Sequence, residues 1–181
     1  MFAASLDAVS YRNAMRHHAG AVAIVSTGKA GSRTGLTVTA ACSLSDDPPS
    51  VIVCVNRSAS AYRVIRAERA FCINLLAEDQ QEIAACFAGR TGLKGEARFA
   101  FGEWSTLATG VPALDGAVAN FDCQLFNDFE MKTHSIFVGH VKAVRARDGA
   151  NPLLYLRGDY GRVDQIGVPS DLPISAEPAS A

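Results

Sequence analysis

Between Gly35 and Asn56 the chain alternates small hydroxyl residues with apolar ones, turns at Pro48-Pro49, and then runs through Val51-Ile52-Val53-Cys54-Val55. Alternation with period two marks a strand with one buried face. An unbroken apolar run bounded by turn residues marks a strand buried on both faces. Thr37, Thr39 and Ala41 then share one face and Leu36, Val38 and Ala40 the other, so one side packs while the other presents neutral hydrogen-bonding groups. Threonine also suits a pleated surface that touches no ligand. What sets this stretch apart is its continuation into Asn56-Arg57-Ser58-Ala59-Ser60, which opens a helix over 61–69. Ser58 or Ser60 is placed to cap that helix, and plain capping is the simplest role for them. The same corner offers free amides, the positive end of a helix dipole and the Arg57 charge, which is the chemistry that holds a phosphate. The two features predict one site: a flat polar ring over Thr37 to Ser43 and an anionic tail at Arg57 to Ser60.

The rest of the chain reads as short strands with few helices. Residues 6–19 form an amphipathic pattern, and Ala21 to Ser26 a strand that turns through the glycines of 28–33 into the Thr-rich strand, giving a hairpin. No helix follows those glycines and their spacing is not G-x-G-x-x-G, which argues against a dinucleotide-binding phosphate loop. Further strands are expected over 71–76, 120–126, 135–144 and 153–156. A short helix is expected from Asp79 to Phe87, opened by Asp79 with Glu82 three residues on and stopped at Gly89. This punctuation predicts a mainly β fold with a few helices, a closed or partly closed barrel in place of a doubly wound sheet. Residues 164–181, rich in Pro, Ser and Ala, read as a flexible tail or an arm on a partner subunit.

Blocks in the same order as Gly35–Asn56, Arg57-Ser58-Ala59-Ser60, Phe71-Cys72-Ile73-Asn74-Leu75-Leu76, Cys86-Phe87-Ala88-Gly89 and Thr133-His134-Ser135-Ile136-Phe137-Val138-Gly139 resemble the flavin reductase family, whose fold is an FMN-binding split barrel. The resemblance spans roughly 10–163, so residues 1–163 are expected to form one such domain. Members include the small reductase components of two-component flavin monooxygenases, such as those acting on 4-hydroxyphenylacetate or on pyrimidines. The resemblance implies a homodimer that uses NADH or NADPH to reduce FMN or FAD and supplies a partner monooxygenase. It also implies that Thr37, Thr39, Ala40 and Ser43 meet the isoalloxazine ring, that Asn56, Arg57, Ser58 and Ser60 meet the ribityl chain and phosphate, and that His134 lies beside the nicotinamide. Phe87 and Tyr160 are placed near the flavin by the same likeness, with packing as the competing role for each. Two positions depart from the family pattern: Ala61 stands where Thr is common, and Lys132 where Gly precedes the His motif.

Hydride transfer needs positioning of two rings and neither nucleophile nor metal from the protein, so the lack of G-x-S-x-G, H-E-x-x-H and Walker motifs is compatible with an enzyme. Two other outcomes fit the same residues. One is a flavoprotein that keeps its flavin and passes electrons to a corrinoid or metal complex; the other is a non-catalytic flavin- or haem-binding barrel. A net charge of −1 with 19% charged residues gives no electrostatic reason to expect nucleic acid or anionic membrane. No apolar stretch approaches the ~20 residues of a membrane helix. Five cysteines, odd in number and without a C-x-x-C pair, read as reduced core residues of a cytoplasmic protein.

Overall fold

The computed structural model describes residues 6–163; the expected tail, 164–181, lies outside the described residues. In chain order the elements are α1 (Ala8–Met15), β1 (Gly20–Ala21), β2 (Ala23–Thr27), β3 (Thr34–Val38), β4 (Ala41–Asp46), β5 (Pro49–Asn56), α2 (Ser60–Glu68), β6 (Ala70–Leu75), α3 (Gln81–Phe87), β7 (Trp104–Thr106), β8 (Pro112–Leu114), β9 (Ala119–Glu130), β10 (His134–Ala146), β11 (Leu154–Leu156) and β12 (Asp159–Gly161). Two 3-10 turns, Glu78–Gln80 and Gly95–Ala100, precede α3 and β7. The fold is mainly β, as the punctuation of the sequence predicts.

Seven strands form one antiparallel sheet in the order β3-β2-β6-β9-β10-β5-β4. β3 and β4 follow one another in the chain yet occupy opposite edges, with Thr39 and Ala40 alone between them. A flat seven-stranded sheet would hold its edges ~29 Å apart at ~4.8 Å per strand, whereas two intervening residues reach about 11 Å. The sheet therefore curls until its edges approach, and the Cys54 N–H, donating to the Ala40 carbonyl at 2.9 Å, carries the β4–β5 pairing one residue back toward that junction. The single strand on which the sequence places Thr37, Thr39 and Ala41 on one face is thus corrected to two, because the chain leaves one edge ladder at Thr39 and Ala40 to join the other.

The curl gives neighbouring residues of β2 to different cores. Val25 faces inward among Val53, Val55, Phe71 and Phe137, together with Ala61, Tyr62 and Ile65 of α2. Ile24 faces outward into a cluster with Ala84 and Phe87 of α3, Phe99 and Leu114. The helices α2 and α3 pack on β2, β3 and β6. That leaves the outer face of β5 partly open, so Ile52 and Cys54 are half-buried and β5 is not buried on both faces as expected. Between the layers, Asn74 donates to the Ile24 carbonyl and the Ser26 hydroxyl, each at 2.9 Å, and accepts from the Leu114 N–H and the Asn120 amide, each at 2.8 Å. Arg145 completes the network by donating to Asn120 at 2.8 Å and to the Leu114 carbonyl at 3.0 Å.

The helix ends differ in detail from the sequence expectation. α1 is shorter than 6–19 and buries no residue; Asp7 caps it, accepting from the Val9 and Ser10 N–H groups at 2.8 and 2.9 Å. α2 begins with Ala59 at the cap position, so neither Ser58 nor Ser60 caps it. Ahead of α3 the Gln80 side chain accepts from the Ala77 N–H at 3.0 Å, replacing the expected Asp79–Glu82 pair, because the segment enters as a 3-10 turn. β1, β7, β8 and β12 are two or three residues long, too short to carry a period.

Candidate functional site

A groove of about 660 Å³ opens between β3, the start of α2, the end of α3 and the loop that follows it. Its size suits a nucleotide-sized ligand. Thr37, Ser58, Ser60 and Phe87 all line it, so four of the residues singled out by sequence meet there. The chain reaches this geometry locally: Asn56 ends β5 and its side-chain carbonyl accepts from both the Ser58 N–H at 2.9 Å and the Ser58 hydroxyl at 2.8 Å. That turn sets the loop before α2. No side chain among the described residues caps α2, and the exposed Ser60 N–H finds no backbone acceptor among them, whereas Ala61 is buried in the core. The Ser60 N–H stays available at the positive end of the helix.

The hydroxyls are less free than their number suggests. Thr37 donates to the Ala84 carbonyl at 2.7 Å and retains only its lone pairs for a ligand, where the sequence predicted donors. Ser60 and Thr34 share one hydrogen bond at 2.7 Å, which leaves one hydroxyl hydrogen between them. The groove also collects cations from the loop after α3. Arg98 is spent on carbonyls, those of Leu93 at 2.8 Å and Gly35 at 3.1 Å. Arg33 is held by Glu96, whose carboxylate accepts from the Arg33 backbone N–H at 2.8 Å and from its guanidinium at 2.6 Å. Lys94 has no side-chain partner among the described residues and is the free positive charge of the groove.

The hydrogen bond from Arg33 holds the Glu96 carboxyl below its ordinary range, with the Arg33 charge adding to it. A depressed carboxylate contributes stability that is fully present above the ordinary Glu range and is lost as pH falls through the lowered value. Glu96→Gln is therefore expected to flatten the loss of thermal stability between neutral pH and the acid side of that range, measured as Tm against pH. A variant curve parallel to the parent's would show that the clamp adds nothing.

Thr39 and Tyr160 lie beyond the upper end of this groove, in a smaller cavity of about 210 Å³ that also contains Thr37, Ala88 and Tyr155. Tyr160 packs edge-on against Tyr155 at 5.4 Å, and the Arg90 guanidinium stands over its ring at 5.3 Å. Burial pushes the Tyr160 phenol up. Phe87 is 2% exposed and packs edge-on against Phe99 and at a tilt against Trp104, so it is core and groove wall at once.

Four candidates stand apart. Ala40 serves the edge junction through its carbonyl. Ser43, carried by β4 to the far edge, lines a different, apolar groove with Ile73, Phe121 and Val144. Arg57 turns its guanidinium to Glu130 at 3.0 Å and to the Met131 carbonyl at 3.2 Å. His134 opens β10 opposite Asn56, exposed, with Nδ1 2.9 Å from the Thr133 hydroxyl, and it does not line the groove. Sequence reasoning missed Arg33, Lys94, Glu96 and Arg98; the signal available was the basic, glycine-spaced run Arg90-Thr-Gly-Leu-Lys-Gly-Glu-Ala-Arg98 directly after a short helix.

Comparison with known proteins places this groove in context. The model of the flavin reductase like domain matches residues 15–164. The protein named FMN reductase (NADH) RutF from Stutzerimonas stutzeri (strain A1501) is 41% identical over 159 residues, covering 88% of this chain and 90% of that protein. Its namesake from Agrobacterium fabrum is 42% identical over 156 residues, covering 86% and 87%. Among solved structures, BorF, the flavin reductase component of a bacterial two-component tryptophan halogenase, superposes with a TM-score of 0.80 at 31% identity over 87% of this chain and 98% of that one.

Proposed function

The chain belongs to the flavin reductase like domain family, and from that premise we propose that it is an NADH-dependent FMN reductase that supplies reduced flavin to a partner monooxygenase. The observation that carries this reading is the groove itself: the uncapped Ser60 amide of α2, the Ser60–Thr34 hydroxyl pair and a Lys94 without a side-chain partner among the described residues, gathered beside an edge strand. That donor set fits a phosphate monoester at one end. Toward Thr39 the lining turns to backbone, Thr37 lone pairs and the Tyr155–Tyr160 pair, which suits a flat ring with N–H and carbonyl edges. When bound, flavin accepts a hydride from reduced nicotinamide. The protein contributes binding, orientation and exclusion of water from the ring's inner face, which rests on the core through Phe87 and Gly35.

The curled sheet, with its edges joined at one point and parted elsewhere, is the split barrel of this family in our reading. We assign it to a cytoplasmic homodimer. Exposed Phe126, Phe129, Met131 and Val144 support a subunit contact, and five free thiols suit a reducing compartment. No helix among the described residues is long and apolar enough to cross a membrane. His134, outside the groove of its own chain, is the proposed nicotinamide neighbour, and the dimer is the means of bringing it there. His134→Ala is expected to raise KM for NADH several-fold, the scale of one lost hydrogen bond, with Kd for FMN changed little. Unaltered kinetics would remove His134 from the site.

Mixing the purified protein with NADH and excess FMN tests the whole reading. NADH-band absorbance should fall catalytically and gel filtration should leave the protein colourless. Turnover with retained flavin would favour a prosthetic group serving another acceptor; bound flavin without turnover would leave only a binding barrel.

A further inference from the structure

Beyond the Tyr155–Tyr160 cavity the track along β3 opens into a third space of about 570 Å³, lined by Arg12, Arg16, His18, Thr39, Tyr155 and Arg157 among others. Thr37 is shared by the first and second spaces, and Thr39 and Tyr155 by the second and third, so the three follow one another along β3 and the residue that leaves it. The third contains three arginines and no carboxylate, in a chain whose net charge is −1. We propose that this pocket seats the diphosphate of the nicotinamide dinucleotide.

Its cations are built in from two elements. The Arg16 guanidinium donates to the Arg157 carbonyl at 2.8 Å, and the Arg157 N–H donates to the Arg16 carbonyl at 2.9 Å, clasping the end of α1 to the β11–β12 turn. Arg157 holds a left-handed backbone, φ 56°, in a two-residue turn with Gly158 at φ 96°. Asn or Gly is favoured at such a position, and Arg157 stands there with its side chain exposed. The guanidinium groups of Arg12 and Arg157 have no side-chain partner among the described residues. Arginine's planar fork matches diphosphate oxygens two at a time.

Direction decides which dinucleotide. This rests on the groove being the flavin site, with the flavin phosphate at Ser60. The diphosphate of FAD would grow from that phosphate end, away from Thr39. A nicotinamide laid over the ring end has its diphosphate leaving past Tyr155, toward the arginines. The pocket therefore belongs to the hydride donor and not to the flavin.

The test is the double variant Arg12→Glu/Arg157→Glu, with Arg16 left intact to keep the clasp. KM for NADH should rise roughly 10- to 100-fold, as loss of charge-assisted phosphate contacts implies. The rate with 1-benzyl-1,4-dihydronicotinamide, a donor without phosphate, should be unchanged, as should Kd for FMN and KM for FAD. Lysine at both positions should restore most of the NADH affinity. An unchanged KM for NADH, or an equal loss with the phosphate-free donor, overturns the proposal; a rise confined to FAD would move the pocket to the flavin. If the parent protein itself fails to oxidise NADH with FMN, the functional reading fails first, and separately.

Discussion

Lys94→Glu is expected to weaken FMN binding roughly 10- to 100-fold while leaving riboflavin binding unchanged, read by quenching of flavin fluorescence. Riboflavin differs from FMN only by the phosphate, so the pair of ligands isolates one end of the groove. Arg98 is committed to carbonyls and Arg33 to Glu96, which leaves Lys94 as the cation able to follow an incoming anion. A hydrogen bond to a charged group contributes about 1.5–3 kcal/mol, and the reversed charge adds repulsion. An equal loss for both flavins would mean that the substitution had disturbed the loop instead of the phosphate contact.

Asn74→Ala should cost about 2–4 kcal/mol of stability by the unmade-bond penalties of buried polar groups, and at ~2–4 °C per kcal/mol lower Tm by roughly 5–15 °C. Asn74 of β6 is fully buried, and four of its side-chain hydrogen bonds reach β2, β8 and β9. Truncation strands the Leu114 N–H, whose acceptor is the Asn74 side chain, and removes one partner of Asn120. Thermal unfolding followed by circular dichroism measures it. A change under 2 °C would show that the neighbours re-pair without Asn74 and that the network is not a determinant of the fold.

The strands were legible wherever length allowed a period. The hairpin of β2 and β3 pairs Ala23 with Val38 and Thr27 with Thr34, as its turn glycines imply; β6 falls one residue before its expected segment, and β9 and β10 fall on theirs with longer ends. The curl was not legible. A local alternation specifies faces and says nothing of which strand becomes a neighbour, so nothing in Thr37-Val38-Thr39-Ala40-Ala41 announces that the chain changes edges there. That is why Ser43, six residues from Thr37, ends in another groove.

The site divides in the same way. Ser58 and Ser60 were found because a strand feeding a helix has a pattern, although the cap position itself fell on Ala59. Lys94, Arg33 and Glu96 come from loops and turns, where residue order carries no period and only folding brings 33 beside 96. Arg16 at the end of α1 and Arg157 in the β11–β12 turn lie 141 positions apart and meet through their clasp.

A crystal structure with FMN bound tests the central claim most directly. The account predicts the phosphate within about 3 Å of the Ser60 amide and of Lys94, with the ring extending along β3 toward Thr39. A phosphate seated elsewhere, or a ring in the apolar groove beside Ser43, would contradict it.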